Sequence, residues 1–395
     1  MKVLGIDVAK SSVVCCLLSN KPSDIREVYR DSNYFYKFNA DAQDIQSLLE
    51  LFPDCAILEP TGVNYSRLWQ TRLQQAGVKV CLVGHNELSS YRKSLGLPDK
   101  DDEADALALA SYFFDYSHMP RRFLSIREPS VYFLRESIFD LEHYARVRNA
   151  ITNRLKQQLA WQFPEVSNYS VKRKFLGLSP LLWRWLAGFS QSSRYDRLYC
   201  QSAGEGLTAN TRKTAKILCD IYELELSIET EVAEVLKESR FSSYIEVFKN
   251  FGFGERLQAL LLSEIFPIEK FLGLDGKPEI IISTGKISGK PTKKNLSKRR
   301  FKKALGAAPT RDWSGERRGY KKTGPALVKS KLYLFILTRI APKKSRLDNE
   351  IGKKLGGMFD EMKQQKQPTR KSWGKIRCKV VEMLYEYLLK ALQNS

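Results

Sequence analysis

An aspartate interrupts the first apolar segment of the chain. Asp7 lies within VLGIDV, and a second apolar segment, VVCCLL, follows after a short polar break. An ionised carboxylate in such a strand is costly unless a cation pairs with it. Unlike an acid at a helix start, it cannot be explained as a helix cap. Asp7 therefore predicts a charged site that it shares with other residues.

Three further acids are candidates for this site. Glu59 closes the apolar segment CAIL, at the kind of strand end where open α/β sheets usually hold ligands. Asp102 and Asp105 are three residues apart at the start of DEADALALASYFF, so a helix would place them on one face. Carboxylates this close repel each other unless a cation neutralises them, and oxygen ligands suit Mg²⁺ or Mn²⁺. The spacing therefore predicts a metal site suited to phosphodiester chemistry, which commonly uses two ions about 3.5–4 Å apart.

A simpler interpretation exists for the second pair of acids. The segment DKDDEAD contains five acids, and acids at a helix N-terminus cap the helix and interact favourably with its dipole. Asp102 and Asp105 could then be helix-start residues alone, and Asp99 or Asp101 could be the ligand instead. The position of Asp7 in a central strand favours the metal site.

The hydrophobic pattern of the first third predicts the scaffold that must position these acids. The predicted strands lie at about 2–9, 12–19, 33–39, 55–60 and 78–84, and the predicted helices at 41–52, 65–77 and 102–114. Three strands are thus followed by helix, strand, helix, strand and helix. This order is typical of the ribonuclease H-like fold.

Two long helices are predicted in the middle of the chain. Apolar residues recur at heptad spacing from Leu134 to Leu159, and Pro164 marks the expected end. A second helix is predicted over about 211–239. An antiparallel pair within one chain and a dimeric coiled coil both fit this pattern. The polar residues Arg148 and Thr152 in the seam favour a dimer, because such residues could specify register or contact nucleic acid.

Glycines and cations of the last third indicate contacts with nucleic acid. A G-x-G turn precedes the helix of GFGERLQALLLSEI, and its N–H groups could hold a phosphate, although an ordinary helix–helix turn fits equally well. Between residues 280 and 311 there is no acid and many cations, which predicts a phosphate-contacting segment. The residues predicted to bind nucleic acid are Gly252, Gly254, Lys293, Lys294, Lys298, Arg299, Arg300, Arg311, Arg317, Arg318, Lys321 and Lys322.

A serine lies among the last of these cations. Ser314, in WSGERRGYKK, is predicted on a loop close to Arg311, Arg317 and Arg318. A serine hydroxyl can attack phosphorus if its proton is removed and cations hold the phosphate. Ser-Gly is also a common turn dipeptide, so the residues alone leave both interpretations open.

The overall charge agrees with a polyanionic partner. The 395 residues carry 65 Lys+Arg against 44 Asp+Glu, a formal net charge of +21. Nucleic acid is therefore the first partner to consider and a membrane surface the second. No apolar segment approaches the roughly 18 residues that span a bilayer, and the N-terminus lacks a signal-peptide pattern.

The seven scattered cysteines predict reduced core residues in the cytoplasm, and the isolated His85, His118 and His143 predict structural or surface roles.

Taken together, the motifs resemble a known family. GIDVAK, LEPTGVNY and KDDEADALALA are similar to the N-terminal resolvase-like domain of the IS110-type insertion-sequence transposases. This family includes bridge-RNA-guided recombinases and a pilin-gene invertase. FGFGERLQALLLSEI, LGAAP and WSGERRGYKKTG look like its C-terminal transposase domain. The chain departs from the family pattern at Asp101, where the family has threonine, and the segments 164–210 and 268–300 look longer than is typical.

The resemblance implies a chemistry. It implies a four-acid site of Asp7, Glu59, Asp102 and Asp105 that binds Mg²⁺ or Mn²⁺. It also implies that Ser314 is a nucleophile that forms a covalent phosphoserine link to DNA. In the family, the resolvase-like domain of one subunit and the transposase domain of another form a composite active site.

The resemblance also implies an organisation and partners. The expected fold is α/β plus mostly α: a ribonuclease H-like domain (1–120), a helical coiled-coil dimerisation region (121–240), and a mainly helical transposase domain with a helix-hairpin-helix-like element (241–395). The expected partners are donor DNA, target DNA, a structured non-coding guide RNA, and further copies of the chain in a dimer or tetramer. The expected location is the cytoplasm of a bacterium or archaeon, at the nucleoid and with no membrane contact.

Two other functions fit the residues. A metal-dependent structure-specific nuclease, such as a junction resolvase, would hydrolyse DNA with water and form no covalent intermediate. A non-catalytic nucleic-acid-binding protein would keep its biological output after Asp7 or Glu59 is replaced by alanine.

Overall fold

A computed structural model describes residues 1–61, 64–97, 99–169, 179–284, 289, 291–314, 317–321 and 323–393, with the backbone alone for 311–314, 317, 318 and 320. The chain divides into two compact units, Met1–Ile126 and Arg127–Ser395. The expected division into three domains stays a prediction. No helix among the described residues is both long enough and apolar enough to cross a bilayer.

The N-terminal unit is a five-stranded sheet with helices. Its elements are β1 (Val3–Val8), β2 (Ser12–Leu18), α1 (Ile25–Arg30), β3 (Phe35–Asn39), α2 (Ala42–Leu49), β4 (Cys55–Leu58), α3 (Tyr65–Gln75), β5 (Lys79–Leu82), α4 (His85–Ser94) and α5 (Asp102–Tyr116). The strand order is β3-β2-β1-β4-β5, in which β1, β2 and β3 are antiparallel neighbours and β4 and β5 run parallel to β1. This is the ribonuclease H-like arrangement predicted from the strand and helix order. Helices α1 and α4 were not predicted, because both segments are short and polar.

A glycine brings α5 close to the central strand. A Cβ atom on Gly5 would lie 2.0 Å from the carbonyl oxygen of Ala106 and 2.5 Å from the backbone nitrogen of Ala110. The buried alanines of α5 leave the same room from the other side. The helix backbone therefore packs directly on β1, which places the first turn of α5 beside the strand that carries Asp7.

The C-terminal unit is mainly helical. Its elements are α6 (Pro129–Gln162), α7 (Pro164–Ser167), α8 (Leu181–Ala187), α9 (Ser193–Cys200), α10 (Ala209–Val235), α11 (Ser242–Asn250), α12 (Glu255–Ile265), β6 (Ile280–Thr284), β7 (Pro291–Asn295), α13 (Leu296–Ala304), β8 (Thr310–Ser314), β9 (Arg317–Lys321), α14 (Ala326–Phe335), α15 (Glu350–Gln364) and α16 (Thr369–Gln393). The β6–β7 and β8–β9 pairs are antiparallel hairpins.

The two long helices, α6 and α10, pack against each other within the chain. The N-terminal part of α6 shares a core with the C-terminal part of α10, as Leu134 and Val232 show, and the opposite ends share another core through Leu155 and Leu218. The helices are therefore antiparallel, which is one of the two arrangements that the heptad pattern allowed. The guanidinium of Arg148, which interrupts the apolar seam of α6, lies 3.2 Å from a carboxylate oxygen of Glu225 on α10. Arg148 thus has a partner in the same chain and gives no support to a dimer.

Candidate active site

Two of the predicted acids lie next to each other at the edge of the sheet. Asp7 is the fifth residue of β1, and Glu59 directly follows β4. Ile6 and Leu58 are partners in the parallel register of these strands. The next residue on each strand is therefore Asp7 and Glu59, so the two acids are neighbours at the carboxyl ends of β1 and β4, where such sheets bind ligands.

The first turn of α5 supplies the other two acids. Asp102 and Asp105 lie in this turn, beside β1. Burial first, and then the negative charges of Asp102, Asp105 and Glu59, together raise the pKa of Asp7 from 3.8 to about 7. The structure thus brings the other three predicted acids within electrostatic reach of Asp7.

The neighbouring Asp101 has a structural task. Its carboxylate accepts a hydrogen bond from the Ala104 N–H at 2.7 Å and caps α5. It also accepts a hydrogen bond of 2.5 Å from the Tyr29 hydroxyl. Because capping engages Asp101, the geometry favours Asp102 as the acid that faces Asp7.

Two of the four acids contact basic side chains of α4. An Oε1 atom of Glu59 lies 2.6 Å from Nδ1 of His85, and an Oδ1 atom of Asp105 lies 3.0 Å from Nη1 of Arg92. The Arg92 side chain is buried and the His85 side chain is 67% exposed. Within the described part of the chain, no three His, Cys, Asp or Glu side chains stand in a geometry that would hold a metal ion.

The donor set nevertheless fits a hard divalent cation. Four carboxylates from three chain segments meet at one sheet edge, and oxygen donors are the ligands that Mg²⁺ and Mn²⁺ prefer. The raised pKa of Asp7 follows from its burial and from the three neighbouring negative charges, which a bound cation would offset. To coordinate an ion, Glu59 and Asp105 would exchange their contacts with His85 and Arg92 for the cation.

Sequence reasoning missed both basic residues. The sequence predicts a structural or surface role for His85, and no local pattern predicts a role for Arg92. The available signal was topological, because α4 begins directly after β5 and therefore starts at the same sheet edge as Glu59. Arg92 lies two turns into a polar helix, and only the packing of α4 against α5 reveals its partner.

The predicted nucleophile belongs to a hairpin. Ser314 is the last residue of β8 and pairs in register with Arg317, the first residue of β9. It therefore lies at the end of a strand, and the prediction that places Ser314 on a loop is wrong. The side chains of Ser314, Arg311, Arg317 and Arg318 fall outside the described part of the chain, as does the whole of Lys322.

The base of this hairpin is held by two glycines. A Cβ atom on Gly324 would lie 2.4 Å from the backbone nitrogen of Gly306, and both glycines have positive φ angles. The motifs LGAAP and TGP thus meet where the two hairpin strands leave the helical core. The Thr323 hydroxyl also donates to the Ala308 carbonyl oxygen across this junction.

A basic cleft that the sequence did not predict lies against the same junction. It has a volume of about 800 Å³ and is lined by Gly306 and Thr323 together with α14 and α16. Its cations are Lys329, Lys371, Lys375, Arg377 and Lys379. The sequence does contain a signal for this cleft. Lys371, Lys375 and Lys379 follow one another at intervals of four residues along α16, which places three positive charges on one helix face.

The G-x-G turn between α11 and α12 is an ordinary helix–helix turn in its packing. Gly252 has a φ of +67°, and a Cβ atom there would lie 2.9 Å from Leu347 Cδ2. Gly254 precedes α12 and lines a cleft of about 420 Å³. The nearby Arg256 forms an ion pair with Glu229 at 2.7 Å, so its charge is already neutralised. Binding of nucleic acid at this turn stays a prediction.

The cations of the basic run fall into two groups. Lys298 forms an ion pair with Glu386 at 2.8 Å, and Arg300 forms one with Glu279 at 2.7 Å. Lys293 and Lys294 on β7 are exposed, as is Arg299 on α13. Two of the predicted contacts are therefore engaged inside the molecule, and the exposed ones keep their charge available.

A ribonuclease H-like sheet that gathers carboxylates at one edge is an architecture found in enzymes that cut nucleic acids. Residues 4–164 match the model of a transposase family, the DEDD transposases of the IS110 type. This match confirms the resemblance to the IS110-type transposases and supports a DNA transposase, recombinase or nuclease.

The chain also has similarities among solved structures. A structure of RuvC from Thermus thermophilus shows 16% identity and a TM-score of 0.24, covering 32% of this chain and 100% of that chain. A structure of T. thermophilus RuvC in complex with a Holliday junction substrate shows the same identity and TM-score, covering 31% and 99%. Among curated proteins, none matches the chain.

Proposed function

We propose that the protein is a DNA transposase that cuts and rejoins DNA strands through a covalent phosphoserine intermediate. The observation that carries this proposal is the meeting of Asp7, Glu59 and the first turn of α5 at one sheet edge, within residues that match the transposase family. The sheet and the close packing of α5 hold the acids near one another before any cation binds, and the folding of the unit offsets the cost of their mutual repulsion.

Asp7, Glu59, Asp102 and Asp105 would hold Mg²⁺ or Mn²⁺ in this proposal. When bound, the cation polarises the scissile phosphate and neutralises its developing charge. The chain's own residues prepare the site. Asp101 and Tyr29 fix the start of α5, and Arg92 balances the charge of Asp105 beneath the acid cluster.

The serine step conserves the energy of the phosphodiester bond. The Ser314 Oγ atom loses its proton and attacks phosphorus, forming an O–P bond while the bond from phosphorus to the leaving DNA oxygen breaks. The leaving oxygen takes up a proton. A second DNA end can reverse the step and rejoin the strand. The cations that would stabilise the pentavalent transition state are Arg311, Arg317, Arg318, Lys321 and Lys322.

The partners in this proposal are donor and target DNA and a structured guide RNA. Base pairing with the guide would select the sequence, while the basic surface would contact the phosphate backbones. The formal net charge of +21 supports this division of roles. Several copies of the chain would assemble, so that acids and serine from different subunits form one active site.

The test is a search for a covalent protein–DNA adduct. The protein is incubated with Mg²⁺, labelled DNA that carries the ends of its element and the RNA encoded beside it, and the products are separated under denaturing conditions. We expect an adduct with the native protein and none with Ser314→Ala. Ser330→Ala, at an exposed serine of α14, is the matched control and keeps the adduct. An adduct that survives Ser314→Ala would remove the serine from the mechanism.

The alternative is a structure-specific metal nuclease without a covalent intermediate. It is favoured by the location of all four acids in the N-terminal unit, since hydrolysis by water would need no serine from the C-terminal unit. This alternative predicts Mg²⁺-dependent cuts with free ends from both the native protein and Ser314→Ala.

A further inference from the structure

One hairpin of the C-terminal unit carries exposed apolar residues. We name the paired strands β6 and β7 the arm; they pair from Ile280 with Asn295 to Thr284 with Pro291. The base of the arm is well anchored, because the Leu296 N–H donates a hydrogen bond of 2.9 Å to the Glu279 carbonyl oxygen. The sheet has only these two strands in the part of the chain that the structure describes.

The arm leaves three successive isoleucines in solvent. Ile280, Ile281 and Ile282 are 43%, 41% and 74% exposed. β-Branched side chains favour sheets whose faces are covered, and an isolated two-stranded hairpin is marginally stable in water. Exposed apolar side chains grouped in this way indicate a surface that a binding partner covers.

Both faces of the arm carry the same combination of side chains. Successive residues of a strand point to opposite faces. Ile282 and its register partner Lys293 therefore share one face, and Ile281 and its partner Lys294 share the other. Neither lysine forms an ion pair with any residue that the structure describes, in contrast to Lys298 at the start of α13.

We propose that the arm inserts into the major groove of duplex DNA. A groove offers two walls of phosphates, so a ribbon lying between them needs cations on both faces, as the arm has. The major groove of B-form DNA is about 12 Å wide and admits a two-stranded β-ribbon. A five-residue strand spans about 17 Å, enough to follow the groove for several base pairs. With the β6 edge of the ribbon toward the groove floor and the β7 edge toward its rim, the isoleucines would approach the thymine methyl groups of the floor and the lysines would approach the phosphates.

The same features argue against other partners. A membrane surface would select one apolar face and one polar face, and the arm has no such asymmetry. The major groove of A-form RNA is too narrow and deep for side chains to read. The proposal rests on the proposed function only in taking DNA as the substrate. It adds the site on the chain, the arm, at which the DNA duplex binds.

The first test compares three paired variants by their affinity for a mixed-sequence DNA duplex as a function of KCl concentration. Lys293→Ala/Lys294→Ala should weaken binding about tenfold and reduce the slope of log K against log salt by about 1.8, because two phosphate contacts are lost. Ile281→Ser/Ile282→Ser should weaken binding and leave the slope unchanged. Lys353→Ala/Lys354→Ala, at exposed lysines of α15, is the matched control and should change neither quantity.

The second test removes the arm. Because Glu279 and Leu296 are already joined by a backbone hydrogen bond, a short glycine linker can replace residues 280–295, with circular dichroism and thermal unfolding to verify the fold. We expect the excised protein to bind the duplex as weakly as the lysine variant or more weakly. Unchanged affinity after excision would overturn the proposal.

Two further outcomes would also overturn it. One is an arm-dependent affinity that is equal or larger for an RNA duplex. The other is a change of molecular mass in light scattering for Ile281→Ser/Ile282→Ser, which would make the arm a contact between copies of the chain. Failure of the proposed function would give a different result. The native protein would then form no covalent adduct with DNA, but its affinity for the DNA duplex would still depend on the arm.

Discussion

The guanidinium of Arg92 lies 3.0 Å from the carboxylate of Asp105, with both side chains almost fully removed from solvent. A cation of the chain thus stands beneath the acid cluster and balances part of its charge. Buried ion pairs of this kind add little net stability, but the loss of one partner is costly because the other is left uncompensated.

This contact predicts a metal-dependent stability change for Arg92→Met. The variant should lose about 3–5 kcal/mol of unfolding free energy in the presence of EDTA. Added Mg²⁺ should restore part of the loss, since a bound cation can replace the missing positive charge. Urea unfolding with and without Mg²⁺ measures both quantities.

Arg122→Met provides the control for this measurement. Arg122 forms an ion pair with Glu87 in which both side chains are about half exposed, so its removal should change stability little. An equal loss for Arg92→Met with and without Mg²⁺ would show that Arg92 acts through packing alone.

The fold of the acid-bearing unit was predictable because its signals are local. The short apolar segments of β1, β2 and β4 identified the strands, and their chain order identified the topology. Asp7 stood out because no local rule explains an acid in such a strand. The choice between Asp101 and Asp102 could not be made, since a cap is recognised only when its hydrogen bond to Ala104 is seen.

The contacts of the acids were not predictable for the opposite reason. His85 and Arg92 reach Glu59 and Asp105 across elements whose packing no local pattern records. The arm was missed likewise, because its lysines read as a continuous basic run. The second strand of the arm became visible only through its pairing with the isoleucines of β6.

Gly5→Ala should separate α5 from β1. The new Cβ atom would overlap the Ala106 carbonyl oxygen, a backbone atom that cannot move alone. We expect a loss of about 3 kcal/mol of unfolding free energy, at the upper end of overpacking costs. DNA cleavage should fall further than stability explains, because Asp102 and Asp105 would be displaced from Asp7.

Gly357→Ala is the control for this change. Gly357 lies on the exposed face of α15 with no atom near its potential Cβ, so alanine there should stabilise by about 0.5–1 kcal/mol. Denaturant unfolding of both variants decides the matter. A Gly5→Ala protein as stable as the native one would contradict the close approach of α5.

Lys270 predicts a pH-dependent contribution to stability. Burial first, and then the positive charge of Arg127, lower its pKa from 10.5 to about 8, while Glu264 acts in the opposite direction. The unfolded chain therefore binds more protons than the folded one between about pH 8 and 10.5, so stability rises with pH in this window. The cost of the buried charge is fully present at pH 7.

Lys270→Met should remove this dependence. The difference in unfolding free energy between variant and native protein should favour the variant at pH 7 by on the order of 2 kcal/mol more than at pH 10.5. The same replacement at the exposed Lys353 controls for the loss of one charge. A difference that does not vary between the two pH values would show that Lys270 is not held in a desolvating position.

The Arg148–Glu225 pair predicts how α6 and α10 are joined. Glu225 is completely buried, and Arg148 Nη1 lies 3.2 Å from its Oε2 atom, while Arg256 is more distant at 3.9 Å. Arg148→Met alone should cost about 3–5 kcal/mol, because the carboxylate is left without its main partner. Arg148→Met/Glu225→Leu should recover most of this loss, since apolar side chains of similar size can fill the same space.

A double-mutant cycle by denaturant unfolding gives the coupling energy, and light scattering gives the oligomeric state. We expect a large coupling and an unchanged molecular mass, because the polar seam residue is satisfied within one chain. If the double variant instead lost a dimer, the seam would extend between subunits, and Arg148 would have the register-setting role that its heptad position first indicated.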